Sequence, residues 1–181
     1  LADGVHKYTQ TWFRLDQHYR KFIHHARDSG QASLLLGLNH LVENLYTNNY
    51  LSRLNERWQQ FIDGCQRWAA PHVVSQRDFF SRYVRPYLER KSKVFVLISD
   101  AFRYEVGEEL QSLIRREDRF DAELVPALAS LPSYTQLGMA SLLPHQTLQL
   151  ADDGSGEALV DGNSATGSGN RARILAKAVS A

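Results

Sequence analysis

The stretch KVFVLISDAFRYE, residues 93–105, decides how the rest of the chain is read. Val94 to Ile98 is continuous, short and mostly β-branched or aromatic, the composition of a strand covered on both faces. Ser99 and Asp100 end it, and a charged helix is expected from Glu105 to Ile114. A carboxylate leaving a buried strand is costly to desolvate unless backbone amides or a divalent cation compensate it. The residues alone leave both compensations open for Asp100. It caps the helix that begins near Arg103, or it holds a metal.

Working outward toward the C-terminus, FDAELVPAL (120–128) is expected as a second strand and Tyr134 to Leu143 as a second helix. Strand, helix, strand, helix implies a parallel sheet, whose ligands bind beyond the carboxyl ends of the strands. The segment LPSYTQLGMASLLPH (131–145) enters that region. Ser133 followed by Gln136 has the spacing of a capping box, which gives Ser133 structural duty. Thr135 falls in the first turn, where free amides and the helix dipole favour an anion. A cation beside its hydroxyl would lower the pKa and make a usable nucleophile. From about residue 151 the chain is rich in Gly, Ser, Asn and Ala and is expected to be a loop or partly disordered, with a weak helical tail from Arg171. GNSATGSGNR (162–171) lacks the Gly-Lys-Ser/Thr ending of a nucleotide loop and is discarded as one. A receiver-like role for Asp100 is discarded too, because no acidic pair closes an earlier strand.

Working outward toward the N-terminus, residues 5–90 are expected to be helical, with large apolar residues at three- and four-residue steps. Trp12, Leu15, Tyr19, Phe22, Ile23 and Ala26 form one stripe. Leu34, Leu38, Leu41, Val42 and Leu45 begin a second, which resumes at Leu51 after a break expected at TNNY (47–50). Such spacing is assigned to core rather than to a docking face. Ser75, three residues before Asp78, is a loose helix-starting box. His18, His24, His25, His40 and His72 show no paired metal spacing.

The 181 residues carry 21 basic and 20 acidic side chains, a net charge of +1, so no whole-chain field draws nucleic acid or an anionic membrane. Arg115, Arg116 and Arg119 are a local basic cluster, read as a solvated helix face. One cysteine, Cys65, permits no internal disulfide. No signal-like or membrane-length apolar run is present, so a cytoplasmic location is the expectation.

VFVLISDAFRYEVGEEL and LPSYTQLGMASLLPH, spaced as they are, resemble the PglZ family, a branch of the alkaline phosphatase superfamily found in BREX-type bacterial phage-defence systems. The resemblance covers 93–145 and LVDGNSATGSGNRARIL at 159–175. It implies an α/β fold: after the helical region read at 1–90, residues 91–181 form the first part of an alkaline-phosphatase-like parallel sheet with helices, within which the Gly/Ser-rich composition of 151–170 marks a flexible segment. It further implies that Asp100 is a metal ligand and that Thr135 is the nucleophile, itself bound to the metal. The implied cofactor is a divalent cation of the Zn²⁺ type, two in a complete enzyme. The family's other ligands come from a later half of the domain, and His145 cannot replace them. This chain is therefore expected to be the N-terminal part of a larger hydrolase of phosphate esters, nucleotides or nucleic acid, working beside other defence proteins. By itself it is expected to turn over little or nothing. The alternative is a non-catalytic scaffolding or recognition protein of a defence complex, with residues 1–90 as its docking element.

Overall fold

The computed structural model describes residues 1–179. In chain order its elements are helices α1 (Ala2–Lys7), α2 (Phe13–Asp28), α3 (Ala32–Asn44) and α4 (Ser52–Asp63), strand β1 (Val74–Ser75), α5 (Arg85–Glu89), α6 (Tyr104–Ile114), β2 (Ala127–Leu128), α7 (Thr135–Ser141), β3 (Leu148–Leu150), β4 (Ala158–Val160), β5 (Asn163–Ser164) and α8 (Gly167–Val179). They form two compact units, one of Leu1–Ala69 with Phe102–Val125, the other of Ala70–Ala101 with the chain from Pro126 onward. The motif of residues 93–105 is divided between them.

The first unit is helical. Wider π-helical turns at Tyr8–Trp12 and Leu45–Leu51 join α1 to α2 and α3 to α4, so the expected break at 47–50 is absent. The Asp28-Ser29-Gly30 turn separates α2 from α3: Gly30 takes φ +66°, and the Ser29 hydroxyl donates to the Ala26 carbonyl at 2.8 Å. Asp16 of α2 accepts from the Tyr8 hydroxyl at 2.5 Å and from the Tyr46 hydroxyl at 2.9 Å. Burial first, then the Asp16 bond, pushes the Tyr8 and Tyr46 hydroxyls above the ordinary phenol range. On α6, Glu105 is 0% exposed. Arg20 Nε donates to both its oxygens at 3.1 and 3.0 Å, and Arg103 Nη2 donates to Oε1 at 2.8 Å. The core assignment of the second stripe fails. Leu34 is 77% exposed, and Leu38, Leu41 and Leu45 are exposed as well; of the first stripe Ala26 is buried, while Trp12 and Leu15 are exposed too. Helical periodicity marks a face that could be covered without saying what covers it, and within this unit α3 packs chiefly on α2 among the larger helices.

The second unit contains two small sheets. β1 and β2 pair in parallel, Val74 with Ala127 and Ser75 with Leu128. The second strand expected at 120–128 is thus reduced to its last two residues. The strand expected at 94–98 does not form: the segment is outside any ladder, with Phe95 88% and Leu97 98% exposed. A strand exists only through hydrogen-bonded neighbours, and none of the described residues supplies them here. Residues 151–164, expected to be loop, complete an antiparallel meander of β3, β4 and β5, with Leu148 opposite Val160 and Val160 opposite Asn163. Leu137, Ala140, Leu143, Leu148, Ala158, Val160 and Ala165 make its core, with α7 laid on β4. The helical tail begins at Gly167 rather than Arg171.

Asp161 and Gly162 make the two-residue turn between β4 and β5, with φ +49° and +74°, the pattern of a type I′ hairpin. The Asp161 carboxylate accepts from the amides of Gln146 and Thr147 at 2.9 and 2.7 Å, which holds its pKa below the usual carboxylate value. Because an added Cβ at a left-handed φ costs about 1–2 kcal/mol, Gly162→Ala is expected to destabilise the chain by that amount in urea titration. Gly169→Ala, inside α8 with open space around it, is expected to stabilise by about 0.5–1 kcal/mol. The same sign for both substitutions would contradict this turn.

Candidate functional site

The site is built within the second unit. Asp100 is exposed and sits in a turn rather than at a strand end. Its Oδ1 accepts from the Ala101 amide at 3.0 Å, and Ala101 takes φ +53°, a left-handed conformation that a residue with a Cβ adopts at a cost of about 1–2 kcal/mol. This local bond occupies Oδ1 and leaves the other oxygen, Oδ2, for a second partner. The helix that follows in sequence opens at Tyr104 with Arg103 at its N-cap and no side-chain cap, so helix capping is not what Asp100 does.

Thr135 is the first residue of α7. The chain arrives extended, since Tyr134 at the N-cap has φ −141° and ψ 158°, and the Tyr134 hydroxyl donates to the Gly156 carbonyl at 2.5 Å. The capping box expected from Ser133 does not form. Tyr134 occupies the N-cap position and no side chain caps the helix, so Ser133 lies one residue too early. Ser75 does cap, accepting from the Arg77 amide at 3.3 Å at the start of the 3₁₀ turn Gln76–Asp78.

The two expected site residues are brought together: the Thr135 hydroxyl donates to Asp100 Oδ2 at 3.2 Å. That is long for a hydroxyl–carboxylate bond, whose usual length is about 2.7–2.8 Å. It matches the separation of two oxygens held by one cation, with metal–oxygen bonds of about 2.1 Å at angles of about 90–110°. Two hard oxygen donors therefore fit a divalent ion. They are too few to hold one, since among the described residues no group of three His, Cys, Asp or Glu side chains could do so. His145 does not complete the pair; its Nδ1 lies 2.7 Å from the Leu143 carbonyl. Arg115, Arg116 and Arg119 are exposed, with Arg115 Nε donating to the Ala122 carbonyl at 3.1 Å.

The family described as the BREX system PglZ alkaline phosphatase-like domain matches residues 79–181, the span that holds both Asp100 and Thr135. The chain belongs to the PglZ family. It is 43% identical over 175 residues to the alkaline phosphatase-like protein BrxZ of Escherichia coli O9:H4 (strain HS), covering 93% of this chain and 20% of that protein. It is 35% identical over 172 residues to the alkaline phosphatase-like protein PglZ of Bacillus cereus (strain H3081.97), covering 94% of this chain and 20% of the relative. The chain thus spans about one fifth of the length of the curated relatives it matches. No solved structure matches it. Among the described residues, no helix of this PglZ-family chain is long and apolar enough to cross a membrane.

Sequence reasoning missed two residues beside these motifs. Glu105 is expected at the start of a charged helix, with nothing to mark it as buried, and is instead wholly enclosed. Gln76 carries no motif at all, yet it touches both flanks of Thr135, at Ser130 and Gly138. Its partners lie 54 and 62 residues along the chain, beyond the reach of any local pattern.

Proposed function

We propose that this chain carries the nucleophile and one metal ligand of a metal-dependent phosphoric-ester hydrolase of a BREX-type defence system, acting in a protein of its relatives' length. The observation that carries the reading is the Thr135 Oγ1 to Asp100 Oδ2 contact of 3.2 Å in a PglZ-family chain whose relatives are named alkaline phosphatase-like. Thr135 attacks phosphorus in line. The bond from its oxygen to phosphorus forms as the bond to the leaving alkoxide breaks, giving a phosphothreonine ester that water then hydrolyses. Asp100 Oδ2, already accepting from the hydroxyl, orients that oxygen and stands where its proton departs. A divalent cation of the Zn²⁺ type, held by Asp100 and Thr135 together with further ligands, would lower the hydroxyl's pKa and offset charge on the phosphoryl group. The substrates that fit are phosphomonoesters or phosphodiesters, nucleotides and nucleic acid included. The reading also gives 94–98 a place in a larger alkaline-phosphatase-like sheet, whose neighbouring strands and layers would cover Phe95 and Leu97.

The test is metal analysis joined to activity in a protein of the relatives' length. Asp100→Asn is expected to lower the bound metal stoichiometry and, in parallel, chelator-sensitive hydrolysis of nitrophenyl phosphate esters. Unchanged metal content together with unchanged activity would remove Asp100 from the site. The exposed leucines of α3 favour a second reading, a scaffold that docks a defence partner through this face. Absence of stoichiometric metal from the longer protein supports the scaffold. Hydrolysis by the 181 residues alone is expected to be undetectable, because two ligands do not retain a cation.

A further inference from the structure

We propose that Gln76 is a positioning residue for Thr135, its carboxamide holding in register the strand exit and the helix between which the nucleophile lies. The inference rests on the reading of Thr135 as nucleophile. Gln76 follows β1 directly, in the 3₁₀ turn Gln76–Asp78, and lies outside the span matched by the family description. Its Oε1 accepts from the Ser130 amide at 3.2 Å, and its Nε2 donates to the Gly138 carbonyl at 3.4 Å. Ser130 stands two residues past the end of β2, and Gly138 lies one turn into α7. One planar group therefore fixes both ends of the arc 130–138, with Thr135 inside it.

Each end has a reason to need that group. Ser130 is 5% exposed, so its amide has no ready water to replace the glutamine oxygen. The Gly138 carbonyl also accepts from the Ser141 hydroxyl at 2.7 Å, which concentrates two side-chain donors on the turn that carries Thr135. At Gly138 an added Cβ would come within 3.7 Å of the Gln76 nitrogen, so the carboxamide lies against the helix backbone itself. Freeing this arc lets the helix start shift by fractions of an ångström while the fold persists. A shift of that size moves the Thr135 oxygen off the line to phosphorus without removing any group that binds substrate.

The test compares Gln76→Leu, which removes both bonds at similar volume, and Gln76→Glu, which keeps the acceptor for Ser130 and loses the donor to Gly138. Each is made in a protein of the relatives' length beside Thr135→Ala, with nitrophenyl phosphate esters as the probe. Rates are measured per site able to form phosphothreonine. Gln76→Leu is expected to lower kcat by about 10- to 100-fold with KM held within about threefold, and Gln76→Glu to fall between it and the unsubstituted protein. A folded Gln76→Leu protein with kcat per site within twofold of the parent overturns the positioning role. If the leucine variant does not fold, the same twofold criterion applies to the glutamate variant. Loss of activity in Thr135→Ala with full activity in both Gln76 variants overturns this inference alone. Full activity in Thr135→Ala overturns the nucleophile reading and this inference with it.

Discussion

Thr135→Ala, in a protein of the relatives' length, is expected to lower kcat for phosphate-ester hydrolysis by about 10³-fold or more and to abolish the phosphothreonine intermediate. The size follows from what is removed. The alanine keeps the first helical residue and its backbone, and Tyr134 rather than Thr135 is the N-cap, so α7 loses no side-chain cap. Thr135 is exposed, and among the described residues its hydroxyl donates to Asp100. Folding should therefore change little, with melting temperature within about 2 °C of the parent, while the attacking oxygen is gone. Thr135→Ser restores an oxygen at the same position and is expected to recover activity to within about tenfold, since it gives up only the methyl group that restrains the rotamer. Trapping at short times followed by peptide mapping reads the intermediate directly. A phosphorylated Thr135 peptide in the parent, absent from the alanine variant and shifted to serine in the third, is the expected set. Turnover of the alanine variant within threefold of the parent would end the assignment.

The pair Thr135 and Asp100 was visible in the sequence because both sit at punctuation: one where an apolar run gives way to a turn, the other where a helix starts after a proline. Helices α6 and α7 follow periodicity for the same local reason. What was lost depended on partners far along the chain. Residues 94–98 have every local mark of a strand, but a ladder needs a neighbour, and the described parallel pairing falls to Val74–Ser75 with Ala127–Leu128 instead. The antiparallel meander did have a local signal. Leu159-Val160 followed by Asp161-Gly162 is a hairpin pattern, submerged in a stretch whose glycine and serine content suggested coil. The leucines of α3 show the opposite failure, a pattern correctly helical whose burial was inferred from period alone.

Glu105 makes the same point from the side of stability. Arg20→Ala is expected to destabilise the chain by about 3 kcal/mol or more, the penalty for leaving a buried carboxylate without its main partner. The carboxylate is 0% exposed and takes Arg20 Nε at 3.1 and 3.0 Å and Nη2 at 2.9 Å, whereas its other partner, Arg103, is itself 56% exposed. Arg20 also pairs with Glu109, and the bonds to Glu105 and then Glu109 raise the guanidinium pKa, so it stays charged throughout the accessible range. Arg20→Lys should recover only part of the loss, because an ammonium cannot span both oxygens as the fork does. Replacing both groups, Arg20→Met with Glu105→Leu, is expected to cost far less than Arg20→Ala alone, since no charge is then stranded. Urea titration of the parent and the three variants reads these differences. Arg20→Ala within about 0.5 kcal/mol of the parent, or a double variant as unstable as the single one, would show that the enclosed carboxylate does not depend on this arginine.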